Sequence, residues 1–442
     1  MPILENDISG WKKIVVIKYF KQLLRKKIIR NVIVVVTGAA GAQAITVAFT
    51  PLITRLYGPE AFGILGTFVS ILSLVTPVAA FTYPIAIVLP KSDQDAMALA
   101  RISAALAFMA AAFLSLLVLV CGKEIVHFLN LQSINDFVYL IPLAMLFSAF
   151  YQIFQQWVIR QREFKISAKA ALIQALSLNS AKASIGWFLP FGGALIVIST
   201  MGYALHALLL YLGAKKRKFT SNFLKEKMTA SDIKDIALKY KDFPLFRAPQ
   251  AFVNALSHSL PVLMLASFLG PSAAGFYTLS KSVMTMPITL LSKSVGDVFY
   301  PRITKADQEG ENVYALMVKA TIMLAALGLA PFMTVFLFGP TLFSFVFGNE
   351  WSTAGNYASW ISLWLFGGFV NRPCVVAIPV LGLLSHFLIY EVVSLLVRAI
   401  SLFIGLVLYG DGVAAVAIFS LSGLALNFFL IVFVMAKSRR GR

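Results

Sequence analysis

Eight ionisable residues interrupt long apolar runs of the chain: Lys182, Lys281, Lys293, Lys319, Arg372, Arg398, Asp297 and Glu391. A lysine or arginine at the centre of a bilayer costs about 2.5–3.5 kcal/mol even on lenient insertion scales. Six of them facing lipid would cost roughly 15–20 kcal/mol, which exceeds the net stability of a typical domain, about 5–15 kcal/mol. Most must therefore face a hydrated interior or reach back to a membrane surface. Lys319 and Lys281 lie near the ends of their runs and can snorkel. Arg372 and Arg398 lie near mid-depth and cannot; Lys182 and Lys293 are intermediate.

Spacing adds detail. Glu391, Ser394 and Arg398 stand at i, i+3 and i+7, which makes one stripe on a helix. Lys293 and Asp297 stand at i and i+4 and can pair. Structural ion pairs are one reading of these residues. Against it, six basic groups face two acidic ones, and an interior with surplus positive charge expects an anionic cargo. Arginine clamps phosphate with a planar fork and lysine acts as a point charge. The candidate substrate-binding set is Arg372, Arg398, Lys293, Lys182 and Lys281. Glu391 and Asp297 are the candidates for ion coupling, with Na+ or H+ as the ion and no other cofactor. No GxxxxGK[ST] loop, GxSxG elbow or HExxH helix occurs, and the two cysteines and four histidines form no metal spacing. The chain therefore reads as a carrier rather than an enzyme.

The elements that hold these residues follow from composition. Of 442 residues 59% are hydrophobic and 13% charged. That is too little charge to cover a water-facing surface, and the expected fold class is an all-α polytopic membrane protein. Twelve stretches reach the roughly 20 residues a span needs. They lie near 32–54, 62–89, 102–121, 137–159, 168–189 and 192–213, then 246–268, 275–300, 313–338, 357–380, 386–409 and 412–436. With the N-terminus placed inside, 30 of the 38 Lys and Arg fall in inside segments and two, Arg55 and Lys123, outside. The same asymmetry absorbs most of the net charge of +19 without a nucleic acid. Residues 1–31 read as a basic amphipathic leader on the inner surface, 214–245 as a basic cytoplasmic linker and 437–442 as a basic tail.

The chain also repeats itself. "GPEAFG" at 58–63 returns as "GPSAAG" at 270–275, and "VLPK" at 88–91 is echoed by "FYPR" at 299–302. Each Gly-Pro reads as a sharp outside turn, with proline at the first position of the next helix. Gly63 and Gly275 would then let that helix approach a neighbour. Six spans separate the copies, so both have one orientation. The expectation is two pseudo-symmetric six-helix bundles, 32–213 and 246–436, related by an axis along the membrane normal. Prolines inside the runs (Pro77, Pro84, Pro142, Pro261, Pro287, Pro331 and Pro373) suggest kinks and moving parts.

Two stretches carry a resemblance. They are 50–91, "TPLITRLYGPEAFGILGTFVSILSLVTPVAAFTYPIAIVLPK", and 240–302, which opens "YKDFPLFRAPQAFVNALSHSLPVLMLASFLGPSAAGFYTLSKS". Both are similar to the Wzx-type oligosaccharide flippases of the polysaccharide transporter family. That family belongs to the multidrug/oligosaccharidyl-lipid/polysaccharide exporter superfamily. The resemblance implies alternating access and a cationic central cavity. It also implies movement of undecaprenyl-pyrophosphate-linked oligosaccharide across the bacterial inner membrane, for O-antigen, capsule or exopolysaccharide. Implied partners are this lipid-linked sugar, membrane lipids, a polysaccharide polymerase and a chain-length regulator. Gln174, Asn179, Asn254, Asn371 and Asn427 could then meet sugar hydroxyls or bridge helices. Two alternatives stand beside it: a cation-exporting multidrug carrier, which would want an acidic cavity, and a membrane polymerase or ligase, which would want a long outside loop.

Overall fold

The computed structural model describes residues 27–215 and 230–440, with side chains left out at 27–36, 230–232, 287, 289–294, 297, 298 and 440. The leader up to residue 26, linker residues 216–229 and tail residues 441–442 lie outside the described residues, as do the side chains of Lys293 and Asp297.

Every regular element among the described residues is a helix. In the first repeat α1 spans Lys27–Leu56, α2 Pro59–Ala79, α3 Tyr83–Ala86, α4 Asp93–Phe128, α5 Ile141–Arg160, α6 Phe164–Phe188 and α7 Gly192–Lys215. The short α8, Ala230–Lys239, belongs to the linker. The second repeat holds α9 (Ala248–Leu269), α10 (Pro271–Gln308), α11 (Val313–Phe347), α12 (Ser352–Val370), α13 (Arg372–Ala377), α14 (Leu384–Tyr409) and α15 (Gly412–Arg440). Taken with their breaks, these make twelve long segments at the expected places. Among the described residues nine segments are long and apolar enough to cross a membrane. α1, α6 and α10 are not among the nine; α6 carries Lys165, Lys169 and Lys182, and α10 carries Lys281, Lys293 and Asp297. The chain is an all-α, multi-pass membrane protein.

Local chemistry sets the helix ends. Ser92 accepts a hydrogen bond from the Asp95 amide (3.0 Å), Asn312 from Ala315 (3.0 Å) and Asp411 from Ala414 (2.9 Å), three side-chain caps on bare helix N-termini. Pro59 and Pro271 occupy the first helical turn, where no N–H is needed. The two Gly-Pro turns are not conformational twins, however. Gly270 is left-handed (φ 85°) whereas Gly58 is extended (φ −68°). Pro84, Pro142 and Pro373 also sit in first turns, while Pro77, Pro261 and Pro331 lie inside helices.

The second long segment breaks after α2. Phe81 (φ 46°) and Thr82 (φ 58°) are left-handed without being glycine, a conformation that costs about 1–2 kcal/mol per residue. Two bonds to the linker hold it: Thr82 Oγ1 donates to the Phe243 carbonyl (3.1 Å) and the Tyr83 hydroxyl to the Ala237 carbonyl (3.0 Å). Ile236 of α8 is buried in the same apolar cluster as Ile87, Met97 and Trp157. Nearby, Arg160 pairs with Asp93 (2.8 Å) and donates to the carbonyls of Ile87 and Pro90, which pins the start of α4 to α5.

The two repeats meet through α2, which packs on both α9 and α10. Their glycines face each other across this seam. A methyl group at Gly63 would sit 1.6 Å from the Pro271 carbonyl oxygen, and one at Gly275 would sit 1.9 Å from that of Pro59. The repeated hexapeptide is thus the crossing point of the two halves, and only a residue without a side chain fits there. Further bonds close the Gly-Pro end. Arg55 donates to the Phe345 carbonyl (3.2 Å), Trp351 Nε1 to that of Thr54 (3.0 Å) and Asn130 to that of Ser267 (2.6 Å). Phe62 meets Trp351 edge-on, with centroids 5.1 Å apart.

Candidate functional site

A cavity of about 510 Å³ lies within the second bundle, between α9, α12, α13, α14 and α15. α9 and α14 both start at the linker end, and the lining begins at Val253 and Phe387, one to two turns inside them. The deepest charged group on α14, Arg398, lies 14 residues from Leu384, about 21 Å along the helix and near mid-membrane. The cavity therefore occupies the linker-end half, while hydrogen bonds tie the chain together at the Gly-Pro end.

The break between α12 and α13 aims Arg372 into this space. Pro373 ends one helical run and starts the next. Asn371 donates to Asn427 Oδ1 (2.6 Å) across to α15, and Asn427 donates in turn to the Trp364 carbonyl (3.4 Å). Arg372 is half-buried, and its Nε is buried without a hydrogen-bond partner among the described residues. An unpaired guanidinium donor beside a cavity is an anion-binding feature.

Arg398 is held differently. Its Nε donates to the Ser394 carbonyl (3.1 Å) and its Nη2 to Ser257 Oγ (3.0 Å). The guanidinium lies over the rings of Trp364 (5.4 Å) and Phe419 (6.0 Å), within cation–π reach. Glu391 lines the same cavity, one turn beyond Ser394 and exposed to it. Among the described residues no carboxylate comes within 4.0 Å of either arginine. Lys281 of α10 stands beside the cavity wall, where its ammonium donates to the His258 carbonyl (2.6 Å) and approaches the Tyr277 ring (5.9 Å).

Of the residues singled out in the sequence, the cavity gathers Arg372, Arg398, Glu391, Asn254, Asn371 and Asn427, with Lys281 adjacent. Lys182 does not line it. It sits on α6 in the first bundle, half-buried, where its carbonyl accepts from the Tyr57 hydroxyl (3.1 Å). Asn179 is also in that bundle, bonded to Thr46 (3.3 Å). Lys319 is exposed on α11 and does not line the cavity. Ser257, His258, Trp364 and Tyr390 also line the cavity and were not singled out. A signal for two of them existed: Asn254, Ser257 and His258 form an i, i+3, i+4 polar stripe in an apolar run.

Twelve long helical segments around a cavity lined by two arginines, a glutamate and three asparagines are the frame of a multi-pass membrane carrier. Comparison with known proteins places the chain further. It matches the family described as "Polysaccharide biosynthesis protein" over residues 52–355, more than half of its length, and it belongs to that family. Teichuronic acid biosynthesis protein TuaB of Bacillus subtilis (strain 168) is 21% identical over 246 residues, which span 56% of this chain and 49% of TuaB. Two solved structures share the fold at TM-score 0.70 and 12% identity. One is an inward-facing multidrug resistance MATE family transporter of the MOP superfamily, covering 91% of this chain and 100% of its own. The other is the lipid II flippase MurJ in an inward closed conformation, covering 91% and 87%. These neighbours are transporters and flippases, not enzymes, and all of these relatives fit the Wzx-type resemblance.

Proposed function

We propose that the protein is a flippase for undecaprenyl-pyrophosphate-linked oligosaccharide repeat units, working by alternating access in the bacterial inner membrane. One observation carries this reading: two arginines share a cavity, and among the described residues no carboxylate lies within ion-pair distance of either. Groups of that kind, in a space water can enter, attract a pyrophosphate and repel a cationic drug. The family and the MurJ neighbour support a lipid-linked glycan as the general cargo class. Arg372 would take the anionic headgroup, Arg398 would assist, and Asn254 would meet the first sugar. The lipid tail would remain in the hydrocarbon.

The positive-inside rule makes the linker end cytoplasmic, so the cavity described here faces the leaflet on which such repeat units are made. Glu391 is the proposed site for a coupling ion, Na+ or H+. Export of the finished repeat would feed O-antigen, capsule or exopolysaccharide assembly. The test is a leaflet assay in cells: the sidedness of labelled lipid-linked repeat units, with wild-type protein and with Arg372→Ala plus Arg398→Ala at equal expression. The double variant should leave the label in the inner leaflet. Full export by it would discard the cavity. Export of cationic dyes, abolished by Glu391→Gln, would instead favour the multidrug reading, which the Glu391 carboxylate in the cavity motivates.

A further inference from the structure

The two cavity arginines differ in a way that cargo binding alone does not require. Arg372 has a spare donor, whereas Arg398 is already tied to Ser257 Oγ at 3.0 Å. Ser257 opens a run of three α9 residues that are each bonded to a different element. Arg398 of α14 reaches Ser257, Lys281 of α10 donates to the His258 carbonyl (2.6 Å), and Ser259 shares a 2.7 Å hydrogen bond with Ser73 of α2, in the other bundle. The Ser73 hydroxyl also faces the Ser70 carbonyl at 2.8 Å, to which it donates, so Ser259 is the donor across the seam.

The turn that carries these contacts is compliant. Pro261 has no N–H to offer the Ser257 carbonyl four residues earlier, so α9 lacks a rung there. Side chains from α14 and α10 do the holding that the helix does not. Arg398 lines the cavity and Lys281 stands beside its wall on the His258 carbonyl, so an anion in the cavity competes for their donors. A ligand shifts a two-state element only by binding its states unequally. An anion meets that condition here, because beyond the Arg372 donor it gains those of Arg398 Nη2 and Lys281 only where these have let go of α9.

Resting on the proposed anionic cargo, we infer that Ser257 is a positioning residue that couples cargo charge to the seam between the bundles. With the cavity empty, Arg398 holds Ser257 and the turn keeps Ser259 on Ser73. With a pyrophosphate present, Arg398 and Lys281 turn toward it, the turn at 257–261 relaxes and the Ser259–Ser73 bond opens. Binding in the cavity thereby loosens the mid-helix contact between the two bundles.

The full-length protein with Ser73→Cys and Ser259→Cys tests this. The two hydroxyls are near enough for the replacing thiols to form a disulfide. The initial rate of disulfide formation is measured in detergent with and without farnesyl pyrophosphate, a soluble isoprenyl pyrophosphate. Binding of the radiolabelled compound is measured in parallel. The expected result is a rate at least about fivefold slower with the probe, the low end of ordinary coupling between sites. Adding Ser257→Ala should slow the rate without probe and abolish the response, and Ser257→Thr, which keeps the hydroxyl, should restore both. Binding that persists while the rate ignores the probe overturns the relay and leaves the cavity reading standing. No binding to the wild type overturns both. A Ser257→Ala protein that still responds to the probe overturns the role of Ser257.

Discussion

The same pair of helices is shut in one bundle and parted in the other. In the first bundle α1 lies along α6 for most of its length. Gly38 abuts Ala168, Gly41 abuts Leu172, Thr46 meets Asn179, and Tyr57 covers Gly186. Their counterparts in the second bundle, α9 and α14, touch through Phe268 and Phe403 (5.9 Å) and through the Arg398–Ser257 bond. Toward the linker end they diverge around the cavity. The difference is one of side-chain size and charge. The run "GAAGAQA" at 38–44 lets two backbones approach. At the matching depth α9 and α14 present Val253, Asn254, Tyr390 and Glu391, which cannot interdigitate so closely. One architecture thus yields a plug or a pocket according to whether the first helix of the repeat is lined by small residues.

The sharpest way to break this contrast is to fill the pocket. Asn254→Trp should make the second bundle as closed as the first and reduce lipid-linked sugar export to background, with circular dichroism unchanged. Removing charge while keeping the space is milder. Arg372→Ala should weaken binding of an isoprenyl pyrophosphate about tenfold to a hundredfold, the worth of one charge-assisted hydrogen bond, as read by equilibrium binding. The reverse operation opens the plug. Gly38→Leu has no room beside Ala168, where even a methyl group would lie 2.3 Å from the Ala168 Cβ. It should lower stability by about 1–3 kcal/mol, seen as an earlier thermal transition in detergent. The smallest effect belongs to Lys182→Met. That lysine lies in the closed bundle, so export should match wild type, and a large loss would mean that the first bundle also handles cargo.

Much of this arrangement could be read in the chain before any coordinates. The twelve segments follow from apolar runs, and the repeat follows from two Gly-Pro hexapeptides. That those hexapeptides touch each other was not legible, since a repeat fixes equivalence and not contact. The desolvation cost of an arginine singled out Arg372 and Arg398, and both line the cavity. The same cost singled out Lys182 with nearly equal force. Only the packing of α1 on α6 separates its surroundings from theirs, and a pairwise packing of helices leaves no periodic mark on either one. The break at Phe81–Thr82 was hidden for another reason. A left-handed turn announces itself through glycine or asparagine, and here it is held by hydrogen bonds to residues some 150 positions later.

That break bears on how the protein can be taken apart. Phe81 and Thr82 keep their unfavourable angles because the carbonyls of Ala237 and Phe243 wait for Tyr83 and Thr82. Those carbonyls belong to sequence that follows the first six segments. A chain severed between residues 215 and 230 strands α8 on the wrong fragment, and the first fragment then keeps its bend only while the two stay associated. A chain severed just after Phe243 carries both acceptors with the fragment that needs them. The first repeat, taken as an autonomous folding module, therefore ends not at its last transmembrane residue but nearly thirty residues downstream, inside what looks like a tether.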